Sequence, residues 1–172
     1  MRLLYTKKQS PRRDDCIDND FLQSCTIEKI RPTLFRPLRR GEKATLSTKL
    51  SRVYFWLISQ GKACVYYLLD GNRTVHTALV VPKCAKFPFL GKNEYEIGPC
   101  VTSPDYRRKG SYAYVLEHIT TSLEYEGSRF YMIVTDTNIP SVKGIEKAGF
   151  EACGTVKKSR FLKIYSRMEP DT

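Results

Sequence analysis

The sequence lacks any long apolar run, because none of its hydrophobic stretches approaches the roughly 20 residues that a membrane-spanning helix needs. Near its beginning it becomes charged at Lys7 and Lys8, too early to supply the apolar region of a signal peptide. We therefore expect a cytoplasmic protein with no membrane as a partner. Its 172 residues suit one domain of ordinary size with a sizeable buried core.

Metal-binding patterns are also missing. The chain has six cysteines and two histidines, His76 and His118, but no CxxC pair and no histidine at ligand spacing from a cysteine. We therefore expect no zinc site, and we interpret the cysteines as small, mostly buried hydrophobic residues. Cys100 lies beside the candidate active site and stays open as a nucleophile, although neither histidine is an obvious partner for it.

Acidic residues are scarce, with 18 Asp and Glu against 29 Lys and Arg, for a formal net charge of +11. Such an excess favours a negatively charged partner: nucleic acid, a phosphorylated small molecule or an acidic surface. The positive charge is spread along the chain, so most of it is expected to be solvated. A basic nucleic-acid-associated protein stays an alternative, but the apolar runs at 63–69 and 130–134 lack the basic and aromatic interleaving of RNA-binding sheets.

The apolar pattern predicts one α/β domain with a mixed sheet flanked by helices. Residues 1–20 are polar and basic, and we expect a mobile or loosely packed segment there, with the domain at 21–172. Because proline removes a ladder donor, Gly98 and Pro99 should make their strand bulge or splay. Helices are predicted at 43–59, 110–126 and 140–148, strands at 63–69, 75–81, 95–101, 130–134, 150–156 and 161–165, and weaker strand patterns at 24–30 and 32–38.

The most informative segment, residues 104–113, leads from a strand into the clearest helix. Three consecutive cations, Arg107, Arg108 and Lys109, come directly before Gly110. A helix N terminus has unpaired N–H groups and about half a positive charge, and glycine lets the backbone approach a ligand closely. The segment therefore predicts an anion site, although basic residues before a helix are common.

This loop resembles the R/Q-x-x-G-x-G/A signature of the GNAT superfamily of acyl-CoA-dependent N-acyltransferases. A second signature follows at the expected distance, since Asn138, Ser141 and residues 146–150 resemble the family's N-x-x-A/S and E/Y-K-x-G-F elements. The resemblance covers roughly residues 93–165. It implies the GNAT fold, with a mostly antiparallel sheet splayed at its central strands, an N-acetyltransferase domain at 21–172, and acetyl-CoA as co-substrate.

The resemblance also implies roles for individual residues. Backbone groups of Val101 and Thr102 would contact the pantetheine arm, and Asn138 would bind near the pantetheine or the adjoining backbone. The pyrophosphate would lie on the amides that open the helix, with the nearby cations supplying charge. The residues implied in that site are Arg107, Arg108, Lys109, Gly110, Ser111, Tyr112 and Ala113.

Two residues depart from the family pattern. Tyr112 replaces the third small residue of the loop signature, and it would either pack against the helix or narrow the approach to the pyrophosphate. Ile145 lies where many members carry the tyrosine that protonates the leaving thiolate. Tyr112, Tyr131 and Tyr165 are the candidates to replace it, and a CoA-binding module without transferase activity stays an alternative.

Glu96 is the candidate general base, because some members carry a carboxylate on the strand before the phosphate loop. Glu94 shares its face by strand alternation, and for both residues an exposed strand-edge carboxylate is the structural alternative. The expected function is acetyl transfer from acetyl-CoA to an amine of a small molecule, with an amino sugar as one acceptor. The oligomeric state is open, with a homodimer as one option.

Overall fold

A computed structural model describes residues 1–10, 20–42 and 44–168 of the chain. These residues form a single eight-stranded sheet with helices on both faces. The strands are β1 (Arg2–Lys8), β2 (Thr26–Ile30), β3 (Cys64–Asp70), β4 (Arg73–Pro82), β5 (Glu94–Thr102), β6 (Arg129–Thr135), β7 (Glu151–Lys158) and β8 (Tyr165–Met168). The α-helices are α1 (Asp20–Ser24), α2 (Leu46–Ile58), α3 (Ser111–Thr121) and α4 (Ile139–Lys147).

The sheet has the strand order β2-β3-β4-β5-β6-β1-β7-β8, and β5 and β6 are its parallel neighbours. They pair only from Glu94 with Arg129 to Glu96 with Tyr131. Beyond that point β5 remains paired with β4 as far as Thr102, while β6 remains paired with β1. The two strands therefore diverge, and the gap between them is called the wedge below. The prediction of a mostly antiparallel sheet that splays at its centre is confirmed.

A bulge in β5 lies at the mouth of the wedge. Val80 pairs with Ile97 and Ala78 pairs with Cys100, so β5 has two residues where β4 has one. These two residues are Gly98 and Pro99, as expected from a proline without a ladder donor. The extra residue turns Cys100 to the opposite face of the sheet from Glu96, although their spacing of four would otherwise put them on the same face.

Each face of the sheet has its own core. On the α3 side, Ile97 of β5 packs with Val115 and Leu116 of α3 and with Ile145 of α4. On the α2 side, Phe55 packs with residues such as Val81 and Tyr131. Because β3 is buried on both faces, its sequence is one continuous apolar run rather than an alternation.

The first strand corrects the prediction for residues 1–20. Residues 2–8 form β1, which lies inside the sheet between β6 and β7, with Leu4 and Tyr5 fully buried. The prediction was wrong there because Leu3, Leu4 and Tyr5 are a short apolar stretch flanked by cations, and the partner strands are more than a hundred residues away. Residue 20 begins α1, and residues 11–19 lie outside the described part of the chain.

Local predictions succeeded elsewhere with three exceptions. The strand predicted at 161–165 is largely a turn, and β8 begins only at Tyr165. The stretch 32–38 contains bends rather than a strand. The long helix ends at Thr121 and is followed by a 3-10 turn, Leu123–Tyr125, instead of continuing to residue 126. None of the helices in the described stretches combines the length and the apolar character needed to cross a membrane.

Candidate active site

The loop before α3, residues 104–110, is called the phosphate loop below, and it has the backbone of an anion site. Gly110 precedes α3 with φ of 80°, a left-handed conformation that favours glycine. Gly110 has no side chain to cap the helix, and the first helical hydrogen bond runs from the Tyr114 N–H to the Gly110 carbonyl. The N–H groups of residues 111–113 therefore have no intrahelical acceptor. They point out of the helix end, where an anion is stabilised.

The loop that carries the cations is anchored on its outer side. The Tyr106 hydroxyl donates a hydrogen bond to Asp70 at 2.9 Å, and the Tyr106 ring stacks on Phe21 with 5.6 Å between centroids. The Lys109 ammonium lies 4.7 Å from the centroid of Phe21. Arg107 and Arg108 are exposed, and the three cations directly precede Gly110 at the N terminus of α3.

Glu96 lies at the apex of the wedge. It belongs to the last β5–β6 pair, and its lateral partners Val81 and Tyr131 put its side chain on the α2 side. The residue is only 5% exposed, so it is not an exposed strand-edge carboxylate. Burial raises the pKa of Glu96 to about 8, against the nearby Lys86 ammonium, which lowers it. A Cβ at Gly98 would lie 2.8 Å from Glu96 Oε1, so the bulge glycine makes room for the carboxylate.

Three buried polar side-chain atoms lack a hydrogen-bond partner among the described residues: His76 Nε2, Glu96 Oε2 and Ser111 Oγ. His76 is the β4 neighbour of Thr102 at the end of β5, and Ser111 is the first residue of α3. All three therefore lie along β5 or at the helix end that follows it. An unsatisfied buried polar group costs ~1–3 kcal/mol, and such groups are typical of sites that hold a ligand or water.

His76 is not a partner for a cysteine nucleophile. Its Nδ1 lies 2.7 Å from the Thr102 hydroxyl, and burial lowers its pKa to about 4, so the imidazole is neutral at pH 7. Burial also raises the pKa of the Cys100 thiol, and the charge of Glu96 raises it further. A thiol that stays protonated is a poor nucleophile. The hydrogen bond from Tyr112 lowers this pKa, but burial and Glu96 outweigh it, so Cys100 is not activated.

Tyr112 links α3 with α4 and with the strands β4 and β5. Its hydroxyl is hydrogen-bonded to Cys100 on β5, and its ring lies on Gly144, where a Cβ would overlap the ring. The ring centroid is also 5.4 Å from that of His76. Burial raises the pKa of Tyr112, and Cys100 and Glu96 act in the same direction. Tyr112 therefore packs between elements, as one of the two expectations held.

The remaining candidates separate into two groups. Thr102, at the end of β5, is hydrogen-bonded to His76, and the neighbouring Val101 is exposed. Asn138 caps α4, since its Oδ1 accepts a hydrogen bond from Ser141 N at 3.4 Å, which is a contact with the adjoining backbone. Ile145 is buried in the α3-side core and offers no polar atom to the wedge.

Two of the candidate acids have other partners. The Tyr131 hydroxyl donates to Glu94 Oε1 at 3.1 Å, and Glu94 Oε2 accepts from the Gly91 N–H at 2.7 Å. Glu94 is on the same side of the sheet as Glu96, as predicted, but its oxygens are satisfied. Tyr165 stacks on Phe87 on the α2 side, with 5.5 Å between centroids.

Sequence reasoning missed Lys86 and Gly144. Lys86 lies in the loop between β4 and β5, and nothing in its local pattern indicates that it approaches Glu96. The sequence did contain a signal for Gly144. Tyr112 replaces a small residue on α3, and its larger ring requires a small residue opposite it. In the described part of the chain no group of three or more His, Cys, Asp or Glu residues is arranged to hold a metal ion.

Solved structures share this architecture. A GNAT-family acetyltransferase from Colwellia psychrerythraea has a TM-score of 0.55 at 14% identity, over 88% of this chain and 52% of that one. A protein from Novosphingobium aromaticivorans assigned to the same family has a TM-score of 0.51 at 16% identity, over 88% and 60%. A functionally unknown conserved protein from Staphylococcus epidermidis has a TM-score of 0.53 at 8% identity, over 88% and 57%. The sequence itself matches no family model and no curated protein.

The chain therefore has the fold of the GNAT-family acetyltransferases, as the two sequence signatures predicted. It spans only 52% to 60% of the length of these three structures. At such low identities the likeness establishes the fold, and the chemistry has to be argued from the site.

Proposed function

We propose that the chain is an acyl-CoA-dependent N-acetyltransferase that acts on an amine of a small molecule. The observation that carries the proposal is the buried carboxylate of Glu96 at the apex of the wedge, whose Oε2 has no hydrogen-bond partner among the described residues. It lies on the strand that leads to an uncapped, cation-flanked helix N terminus. A base in a cleft next to an anion site is the arrangement that acetyl transfer from a CoA thioester requires.

The residues present fit acetyl-CoA. The N–H groups of residues 111–113 would hold the pyrophosphate, with charge from Arg107, Arg108 and Lys109. The pantetheine arm would follow Val101 and Thr102, whose backbone edge faces away from β4 and is not paired with β6. When bound, acetyl-CoA supplies the acetyl group as a thioester, whose C–S bond breaks as the new C–N bond forms.

Glu96 acts as the general base. Its carboxylate accepts the proton that the amine loses, and a pKa of about 8 makes it a stronger base than an ordinary glutamate. At pH 7 roughly one molecule in ten has Glu96 ionised, so the rate should rise with pH up to about 8. Such a base typically contributes ~10²–10⁴-fold.

Tyr112 is the proton donor to the leaving sulfur in this proposal. It takes the role of the tyrosine that many GNAT members carry at the position of Ile145. Its hydroxyl is suited to this role because it lies within electrostatic reach of Glu96. Tyr131 is bound to Glu94, and Tyr165 stacks on the other face. The Tyr112 ring has to turn away from Gly144 for the pantetheine to enter, which is an ordinary side-chain rearrangement on ligand binding.

A CoA-binding module without transferase activity is the second candidate. Two observations favour it: the Tyr112 ring is packed against Gly144, and the buried Ile145 has no proton to donate. Single-turnover transfer with excess enzyme separates the two functions, since a module would bind CoA and transfer nothing at any pH.

The test combines binding with turnover. Calorimetric titration with CoA should give binding that weakens at least tenfold in Arg107→Ala and not in Lys62→Ala, an exposed lysine away from the loop. Thiol release from acetyl-CoA would then be followed with glucosamine, putrescine, amino acids and peptides. Absence of CoA binding, or binding unaffected by Arg107→Ala, would contradict the proposal. An amino-sugar acceptor, a cytoplasmic location and a homodimer remain predictions within it.

A further inference from the structure

Four cations lie on the α2 side of the sheet, the side on which the Glu96 side chain lies. They come from separate elements: Arg2 of β1, Lys86 of the β4–β5 loop, Lys158 of β7 and Arg167 of β8. We call them the basic rim. No chain segment shorter than the whole domain contains them all, so only the folded sheet brings them together.

Two of the rim cations lie over the ring of Tyr165, and the other two are tied to its neighbourhood. The Arg2 guanidinium carbon lies 6.0 Å from the Tyr165 ring centroid, and the Lys158 ammonium lies 5.5 Å from it. The Tyr165 N–H donates to the Lys86 carbonyl at 2.9 Å, which ties the loop to β8. Arg167 lies 5.9 Å from the ring centroid of Tyr131, the residue directly beside Glu96.

The rim and the Glu96 carboxylate share one face. Paired residues of neighbouring strands point to the same side, and the partners of Glu96, Val81 and Tyr131, belong to the α2-side core. Leu4 and Val156 belong to the same core, and strand alternation puts Arg2 and Lys158 on their side. The phosphate loop directly precedes α3, and α3 packs on the opposite face of the sheet. The rim therefore faces Glu96 from the side that the loop does not occupy.

The rim cations are not neutralised by the described part of the protein. None of the four forms an ion pair with a carboxylate of residues 1–10, 20–42 or 44–168. Lys86 is half-buried, with its ammonium 4.3 Å from the centroid of Phe55. Burial lowers the pKa of Lys86, and Lys158 and Lys163 act in the same direction, while Glu96 opposes them. Arg2, Lys86 and Lys158 are partly buried and Arg167 is exposed. Partly buried cations without an ion-pair partner attract an anion.

We propose that the acceptor of the transferase is an amine that also carries an anionic group, a phosphate or a carboxylate, held by the basic rim with its nitrogen toward Glu96. This inference rests on the proposed function and names its substrate class. The rim would repel a polyamine and give no advantage to a neutral amine. It would also lower the pKa of a bound amine, so that more of the acceptor is in the neutral, nucleophilic form.

Matched acceptor pairs test the proposal directly. The phosphate arm compares O-phosphoethanolamine with ethanolamine, and the carboxylate arm compares 4-aminobutyrate with butylamine. Putrescine serves as the dicationic reference. Each compound is measured twice, by calorimetric binding in the presence of CoA and by initial rates of thiol release from acetyl-CoA. We expect the anionic member of at least one pair to bind at least tenfold more tightly, and the arm that shows the preference identifies the anion.

The variants assign the preference to the rim. Lys86→Ala combined with Lys158→Ala should reduce the anionic preference at least tenfold, and Lys158→Ala alone should reduce it in part. Lys86→Met removes the charge but keeps the side-chain stem packed on Phe55. It replaces Lys86→Ala if that variant does not fold. Lys62→Ala with Lys83→Ala, two exposed lysines outside the rim, is the control and should leave the preference unchanged.

Failure of this inference is distinguishable from failure of the proposed function. Equal binding within both pairs, or tighter binding of putrescine, overturns the anionic acceptor whether or not acetyl is transferred. An anionic preference that persists in the double variant also overturns it, because the anion would then bind elsewhere. Preference that is lost with Lys86 and Lys158, but without acetyl transfer to any acceptor, supports the anion site and contradicts the transferase.

Discussion

Replacing Glu96 by glutamine should change the pH dependence of stability. The carboxyl group is buried and one of its oxygens has no partner, and burial raises its pKa from an ordinary 4.5 to about 8. Glutamine has nearly the same shape but cannot ionise. The substitution therefore removes the penalty of a buried charge and leaves the packing of the wedge almost unchanged.

The sign of the effect follows from proton linkage. Between pH 4.5 and about 8 the unfolded chain has lost the Glu96 proton while the folded chain keeps it. The stability that this group contributes is therefore complete below pH 4.5 and falls as pH rises to about 8. The difference between these two pKa values corresponds to at most ~5 kcal/mol of folding free energy. From pH 5.5 to 7.5, Glu96→Gln should gain ~2–3 kcal/mol of folding stability relative to the wild type.

Urea unfolding of both proteins at pH 5.5, 6.5 and 7.5 measures this difference. Glu126→Gln, which removes an exposed carboxylate, provides the baseline for loss of one surface charge. A stability gap that stays constant across the series would refute the buried, protonated state of Glu96. The same variant should lose ~10²–10⁴-fold in turnover while its CoA affinity stays within about twofold. Unchanged turnover with the preferred acceptor would remove Glu96 as the base.

Four further predictions concern the wedge and the loop. Gly144→Ala should destabilise the fold by ~1–3 kcal/mol in urea unfolding, because its methyl group overlaps the Tyr112 ring, and Tyr112→Ala should relieve most of that cost in the double variant. Tyr112→Ala should tighten CoA binding in calorimetry, whereas Tyr112→Phe should leave affinity unchanged and lower turnover. Gly110→Ala should cost ~1 kcal/mol in the same unfolding assay, because φ of 80° strains any residue with a side chain. CoA affinity should fall with added salt, and less steeply in Lys109→Ala; a salt slope equal to that of the wild type would count against the loop.

Local sequence was sufficient for the β3–β4 hairpin, the bulge of β5 and the start of α3. The turn at Gly71 and Asn72 joins two strands that pair with their own neighbours, so the β3–β4 hairpin needs no distant information. Gly98 and Pro99 predicted the bulge because proline has no N–H to donate. The anion site predicted before α3 depends on the unpaired amides that every helix N terminus has, independent of distant residues. These properties depend on residues within a few positions of each other.

Only the tertiary structure decided the chemistry on the other side of the sheet. The sequence by itself determined that Glu96 lies on a strand before the loop, but its burial, its raised pKa and its position at the apex come from Val81 and Tyr131 on neighbouring strands. The same holds for β1, whose few apolar residues are buried by partners more than a hundred residues away. Such contacts are set by which strands become neighbours, and no local pattern encodes that choice.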